Sequence, residues 1–209
     1  CRHAPPGLLH QPSRSPQGVN SRETSKGRSI QEHRLVGVPF IESPNQNERP
    51  DPSDIQLVVI HAISLPPGQF ETPGVTQLFT NTLDPEAHPY YAEIEALRVS
   101  AHLLIQRSGA ITQYVAFDRR AWHAGISMWR GREVCNDFSI GIEVEGTEDQ
   151  PFEPIQYDVL NQVLDALLAA YPQLSRETIA GHQDIAPGRK WDPGPFFEWG
   201  RIGLGAVRA

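Results

Sequence analysis

Residues 180–195 read AGHQDIAPGRKWDPGP, and this short stretch contains His182, Lys190 and Asp192. Imidazole and carboxylate groups are both zinc ligands, and the two Pro–Gly pairs of the stretch predict turns that bring His182 and Asp192 together. Two ligands do not complete a zinc site. The stretch therefore predicts a metal-binding loop whose third ligand comes from elsewhere in the chain.

The best candidate for the third ligand is His61. It ends the strongest strand signal in the sequence, LVVIH at residues 57–61. Two histidines and one carboxylate leave a fourth coordination position open, which is the pattern of a catalytic zinc rather than a structural one. The alternative is that His182 and Asp192 only form loop hydrogen bonds and that His61 simply ends a strand.

The whole chain has 209 residues and a net charge of −7. This length fits one domain with a tail. The negative charge argues against a nucleic-acid partner, because proteins that bind nucleic acids carry a basic patch. No apolar run reaches the roughly 18–20 residues that a spanning helix needs, so we predict no membrane span.

Residues 1–36 are rich in Ser, Pro, Gly, Arg and Gln and show no periodic apolar pattern. They contain six basic and two acidic residues, a charge of +4, which leaves −11 on the remainder. This composition predicts a disordered basic tail over 1–36 and one folded domain over 37–209.

The chain has two cysteines, Cys1 and Cys135. Such sparse use favours a reducing compartment over a disulfide-stabilised scaffold. A cysteine at the first position leaves two explanations open: a processed bacterial lipoprotein anchored through Cys1, or a truncated reading frame.

Apolar periodicity predicts strands alternating with helices around one sheet, which indicates an α/β domain. A long segment at 64–97 is largely irregular apart from a short helix candidate at 74–80, and we interpret it as a wall or lid of a binding cleft. The predicted regular elements are strands at 56–61, 101–107, 111–116 and 138–146 and a helix at 154–170.

The strand at 138–146 alternates with period two. Ile140, Ile142 and Val144 therefore share one face, and the opposite face carries Glu143 and Glu145. Either carboxylate could point into a cleft, and the alternation does not choose between them.

Several stretches together resemble a known superfamily: VVIHAISLPPGQF, LDPEAHPYYAEIEALRVSAHLLI, RRAWHAGISMWRGREVCNDFSIGIEVEGT and AGHQDIAPGRKWDPGP. They are similar to the zinc-dependent N-acetylmuramoyl-L-alanine amidases, whose superfamily includes certain phage lysozymes and the peptidoglycan recognition proteins. The greatest similarity is to the bacterial 1,6-anhydro-N-acetylmuramoyl-L-alanine amidases. The resemblance covers residues 56–200 and implies a single domain with a central mixed β-sheet flanked by helices.

The resemblance also implies roles for single residues. It gives one zinc ion the ligands His61, His182 and Asp192, and it gives catalytic roles to Glu143 and Lys190. A carboxylate beside zinc can act as general base, and a cation can stabilise the oxyanion. Three further side chains are expected to contact a muropeptide: Arg98, Trp122 and Asn136. For Trp122, a place in the half-buried core is the alternative to stacking on a sugar.

The function implied is hydrolysis of the bond between the lactyl group and L-alanine in 1,6-anhydro-N-acetylmuramoyl peptides, during peptidoglycan recycling, by a cytoplasmic monomer. One alternative is a periplasmic lipoprotein amidase, anchored through Cys1, that acts on polymeric peptidoglycan. Another is a non-catalytic muropeptide-binding module. Two departures from the family pattern, Ala62 and Val134, put substrate affinity in question, since relatives often have Asn and Arg there.

Overall fold

The computed structural model describes residues 27–205. Its strands are β1 (Ile30–Gln31), β2 (Arg34–Leu35), β3 (Gln46–Glu48), β4 (Leu57–Ile63), β5 (Leu103–Ile105), β6 (Ile111–Gln113), β7 (Arg119–Ala121), β8 (Met128–Trp129), β9 (Arg132–Glu133), β10 (Ser139–Glu145) and β11 (Ile179–Gly181). Its α-helices are α1 (Gly74–Phe79), α2 (Pro89–Ile94), α3 (Pro154–Ala170) and α4 (His182–Ile185), and short 3-10 turns lie at 135–137, 176–178 and 199–202.

The main sheet has five strands in the order β11-β4-β10-β5-β6. The first three neighbouring pairs are parallel, and only β5 and β6 pair antiparallel. The sheet is therefore mixed, as predicted. Because β4 lies between β10 and β11, the carboxyl ends of these three strands meet at one edge of the sheet.

Helix α3 covers one face of the sheet. It was predicted over 154–170 from its apolar spacing, and the structure confirms both ends. Its buried side chains pack on Ile140, Ile142 and Val144, the apolar face predicted for β10. Burial of such a continuous apolar layer is the main stabilising contribution in a domain of this size.

The opposite face is covered by shorter pieces of chain. The segment predicted to be irregular at 64–97 contains α1 and α2, whose buried residues join a second apolar cluster with Leu104 and Tyr114. Helix α1 begins where the short helix was predicted and ends one residue earlier. The segment remains mostly loop and lies beside the carboxyl ends of the strands.

The tail predicted over 1–36 needs a correction. Strands β1 and β2, within that range, pair antiparallel. Leu35 is buried in the main core, and its backbone N–H donates to Oε1 of Gln113 at 2.9 Å. The boundary predicted at residue 36 therefore falls inside folded structure. Residues 1–26, with most of the predicted tail and the proposed lipid anchor Cys1, lie outside the described residues.

Between residues 27 and 205, none of the helices has the length and apolar character needed to cross a membrane.

Candidate active site

The site is built at the shared carboxyl edge of three parallel strands. His61 on β4 lies directly opposite Glu143 on β10, and Ile60 lies opposite Gly181, the last residue of β11. His182 follows Gly181 as the first residue of α4. The register alone therefore brings two histidines and a carboxylate to one place, the edge at which open α/β sheets bind ligands.

The three predicted metal ligands lie together and are buried. Nδ1 of His61 is 3.0 Å from Nδ1 of His182, and each of these atoms is 3.2 Å from Oδ2 of Asp192. One donor atom from each residue lies within 4.8 Å of the others. Two imidazole nitrogens and a carboxylate oxygen that face one point form a donor set suited to a transition-metal ion. The residues therefore fit a metal site.

Burial and close contact determine the charges in this cluster. Burial alone would raise the pKa of Asp192, but its contacts with His182 and His61 outweigh that effect and hold the pKa well below its usual range. Burial lowers the pKa of His61 to about 4. Near neutral pH the cluster thus offers an ionised carboxylate and a neutral His61, the protonation states that bind metal.

Glu143 is buried beside this cluster. Its Oε2 atom has no hydrogen-bond partner among the described residues. Burial raises the pKa of Glu143 well above its ordinary value, the nearby Asp192 carboxylate raises it further, and Lys190 opposes the shift. A buried carboxylate without a partner is costly, and such groups are characteristic of functional sites.

Glu145, the other carboxylate on the same face of β10, has a different environment. Its Oε1 accepts a hydrogen bond from the backbone N–H of Glu71 at 2.6 Å, and its Oε2 accepts one from Arg107 at 2.9 Å. Both oxygens therefore hold loops in place. The alternation in the sequence could not separate the two glutamates, whereas their partners do.

A cleft of about 570 Å³ opens above the cluster. The segment predicted as a cleft wall supplies one side of it, and the turn at 147–150 with Trp191 supplies another. Glu143 and Lys190 both line the cleft, and Lys190 is exposed. Ala62, one of the two departures from the family pattern, also faces the cleft, whereas Val134 is exposed in a separate cavity.

The three predicted substrate contacts differ in position. Trp122 lines the cleft, half-buried, and its Nε1–H donates to Oδ1 of Asn47 at 2.6 Å. Arg98 is exposed beside the cleft, and its guanidinium donates to the backbone oxygens of Glu95 and Leu97 at 2.9 and 3.0 Å. Asn136 differs from the other two in its position. This residue is buried outside the cleft, and its Oδ1 accepts from the backbone N–H groups of residues 123 and 124 at 3.1 and 2.8 Å.

The loop residues His123 and Ala124 were not predicted to contact the metal cluster. Nε2 of His61 lies 2.8 Å from Nδ1 of His123, and Nε2 of His182 lies 3.1 Å from the carbonyl oxygen of Ala124. Two adjacent residues thus contact the outward nitrogens of both histidines in the cluster. No periodic pattern marks such a loop, and its one signal in the sequence is the aromatic residue next to an imidazole in WHAG, residues 122–125.

The chain is similar in sequence to known proteins. The sequence model of the N-acetylmuramoyl-L-alanine amidase family matches residues 51–195. The 1,6-anhydro-N-acetylmuramyl-L-alanine amidase AmpD of Escherichia coli (strain K12) is 55% identical over 168 residues, which cover 80% of this chain and 91% of that protein.

Two solved structures extend the comparison. The crystal structure of a selenomethionine derivative of AmpD matches with a TM-score of 0.81 and 52% identity, covering 83% of this chain and 97% of that one. The structure of AMPDH3 from Pseudomonas aeruginosa, in complex with anhydromuramic pentapeptide, matches with a TM-score of 0.56 and 29% identity, covering 72% and 59%. The chain therefore belongs to the N-acetylmuramoyl-L-alanine amidase family.

Proposed function

We propose that this chain is a zinc-dependent amidase that hydrolyses the amide bond between the lactyl group of 1,6-anhydro-N-acetylmuramic acid and L-alanine in muropeptides. The observation that carries the proposal is the buried His61–His182–Asp192 cluster with the unpartnered carboxylate of Glu143 beside it, at the floor of a cleft. The 55% identity to a 1,6-anhydro-N-acetylmuramyl-L-alanine amidase supports the choice of substrate.

His61, His182 and Asp192 are the residues that would hold the ion. Zinc, when bound there, supplies Lewis acidity that brings the pKa of water to about 7. The set contains two nitrogens and one oxygen, so a fourth position is left for a small ligand, as in catalytic zinc sites.

Glu143 is the proposed general base. Its carboxylate takes a proton from the attacking water and returns it to the nitrogen of the leaving L-alanine as the carbon–nitrogen bond breaks. A base works best when its pKa is close to the working pH, and burial shifts the pKa of Glu143 in that direction. The products are a lactyl carboxylate and a free peptide amine.

Lys190 is the proposed stabiliser of the oxyanion. It lines the same cleft as Glu143, on the loop that leads to Asp192. Negative charge develops on the former carbonyl oxygen during attack, and a fixed cation nearby lowers the energy of that state. Because Lys190 is exposed in the free protein, we expect its contribution to appear mainly when substrate fills the cleft and excludes water.

The cleft suits an amphipathic substrate. One part of its lining is apolar and aromatic, with Leu65, Phe79, Tyr90 and Trp122, and sugar rings pack well on such surfaces. The polar cluster lies at the floor. The proposal includes a monomeric protein that acts in the cytoplasm on soluble muropeptides released during peptidoglycan recycling.

The test compares two substrates, 1,6-anhydro-N-acetylmuramoyl tripeptide and intact sacculi, each with and without a zinc chelator. We expect cleavage of the soluble anhydro substrate that is lost on chelation and restored by added zinc. Equal release of peptide from sacculi would favour an amidase of polymeric peptidoglycan. Absence of cleavage with either substrate by zinc-loaded protein would contradict the proposal and favour a binding module.

A further inference from the structure

Both ring nitrogens of His61 have partners. Nδ1 faces His182 and Asp192, and Nε2 lies 2.8 Å from Nδ1 of His123. The two rings meet edge to face, with their centroids 4.9 Å apart. A ligand histidine usually donates its second N–H to a carboxylate, a carbonyl or water. Here the nearest partner is a second imidazole.

The contacts are consistent with one assignment of protons. A metal ligand needs a lone pair on Nδ1 of His61, so the proton of that ring lies on Nε2 and is donated to Nδ1 of His123. The proton of His123 then lies on Nε2, which is 3.1 Å from the hydroxyl oxygen of Ser139. Each ring nitrogen is thus either a donor or an acceptor, and the hydrogen bonds run from His61 through His123 to Ser139.

The sheet holds the His123 ring in this position. Ser139, Gly141 and Glu143 lie on the same face of β10, and the ring packs directly over Gly141. A Cβ atom at position 141 would lie 2.5 Å from Cγ of His123, closer than real side chains approach. Glycine at this position therefore makes room for the ring between Ser139 and His61.

We propose that His123 is a positioning residue that fixes the ring orientation of His61 through its Nδ1 atom, so that Nδ1 of His61 points at the metal. The inference rests on the proposed metal site. His123 lines the cleft, but both of its nitrogens are engaged within the protein. It is therefore poorly placed to donate a hydrogen bond to substrate.

Two substitutions separate an acceptor role from space filling. In His123→Asn the side-chain oxygen can occupy the place of Nδ1 and still accept from His61. In His123→Gln the amide extends to the place of Nε2, towards Ser139. If His123 only filled space, Gln, which is larger, would serve at least as well as Asn. If it orients His61, Asn should serve better.

The readout is zinc affinity, measured by competition with a chromophoric chelator, together with the absorption spectrum of the cobalt-substituted protein. Loss of such a supporting contact typically weakens metal binding about 10–100-fold, and we expect a loss of that size in His123→Gln. We expect His123→Asn to lose much less zinc affinity than His123→Gln, because its amide oxygen still accepts from Nε2 of His61. A cobalt spectrum that changes in His123→Gln but not in His123→Asn would support the positioning role.

His102→Gln is the matched control. His102 is a buried histidine on the same side of the sheet, its ring is 6.0 Å from that of His123, and its nitrogens contact Gly141, Arg119 and Arg49 rather than a proposed ligand. We expect its zinc affinity to be unchanged. Equal affinities of His123→Gln and the original protein would overturn the positioning role while leaving the metal site intact. A failure of the original protein to bind zinc would overturn the proposed function as well.

A second variant reaches the same contact from the sheet. Gly141→Ala keeps His123 but displaces its ring, so zinc affinity should fall by a similar factor. Combined with His123→Gln, it should add little, because residues that act through one contact are not additive. Fully additive losses, or no loss in folded Gly141→Ala, would count against the proposal.

Discussion

Two buried polar clusters lie on the same side of the sheet, and they differ in how their atoms are paired. In the first, the guanidinium of Arg49 donates to four backbone carbonyls, and His102 accepts at Nδ1 from Gly141 and contacts the carbonyl of Arg119 through Nε2. The carbonyls bound by Arg49 belong to Phe117, Asn136, Asp137 and Ser139. Apart from the approach of the Arg49 guanidinium to Nε2 of His102 at 3.2 Å, donors meet acceptors in this cluster, which joins loops to the sheet.

In the second cluster, acceptors face acceptors. The Nδ1 atoms of His61 and His182 and an oxygen of Asp192 converge, and Oε2 of Glu143 has no partner within residues 27–205. Folding alone gains little from such an arrangement, since buried polar groups are stable when paired. Hydrogen-bond pairing, rather than burial or residue type, therefore distinguishes the candidate active site from the first cluster.

Substitution of Glu143 should reduce turnover more than any other change considered below. Glu143→Gln keeps the shape but removes the base, so kcat/KM should fall about 10²–10⁴-fold. Zinc affinity should be unchanged, because Glu143 is not among the proposed ligands. The measurement is steady-state hydrolysis of the anhydro tripeptide beside a zinc titration. Retained turnover in a zinc-loaded variant would place the base elsewhere.

Substitution of Lys190 should have the second largest effect on turnover. Lys190→Met keeps the stem and removes the charge, and loss of one group that stabilises an oxyanion costs about 10²–10³ in kcat. We expect most of the loss in kcat rather than KM. Lys190→Arg, which keeps the cation, should retain more activity than Met. A rise in KM with normal kcat would mean that Lys190 only binds substrate.

Substitution of Glu145, the other glutamate on this face of β10, should affect stability rather than turnover. Glu145→Gln replaces one accepting oxygen by a donor that faces a backbone N–H, which should lower the free energy of unfolding by about 1–3 kcal/mol. Urea denaturation measures this loss. Turnover of the folded variant at low temperature should stay close to that of the original protein. A severe loss of kcat with intact stability would contradict the scaffold role.

The smallest effect is expected on the pH dependence of stability, through His102 in the cluster with Arg49. Burial, and then the charge of Arg49, lower the pKa of His102 to about 3. In the unfolded chain the value is about 6.5, so between these limits the unfolded state binds more protons and stability falls as pH falls. From pH 7 to 5.5 the contribution lost is about 1 kcal/mol.

The check is urea unfolding of the metal-free protein at pH 7 and 5.5, with His102→Gln as the comparison. The variant should be less stable at both pH values but should lose about 1 kcal/mol less between them. His61 and His123 titrate in both proteins, so their contributions cancel in the difference. Equal losses in the two proteins would mean that His102 does not stay neutral in the folded state.

Much of the fold could be predicted because its signals are local. Helix α3 follows from apolar residues at helical spacing, and its predicted ends are those observed. The strand predicted at 56–61 is β4, observed at Leu57–Ile63. The convergence of His61, His182 and Asp192 was also predicted, from ligand chemistry together with turn residues that bend the loop.

The rest depended on contacts between distant parts of the chain. Glu143 and Glu145 have the same local pattern, and only the backbone of residues 71 and 107 distinguishes them. Asn136 has a side chain of the kind that binds ligands, yet the backbone N–H groups of residues 123 and 124 occupy its oxygen. The pairing of β1 with β2 lies in a sequence too polar and too short to carry a periodic signal.

The separation of the proposed ligands along the chain has a consequence for synthesis. His61 precedes His182 by 121 residues and Asp192 by 131. A growing chain therefore presents one ligand long before the other two exist, and β11 must be made and paired with β4 before all three can meet. Chains that end before residue 179 would keep His61, Glu143 and helix α3 but lack a metal site. Metal retention would thus distinguish finished chains from prematurely terminated ones.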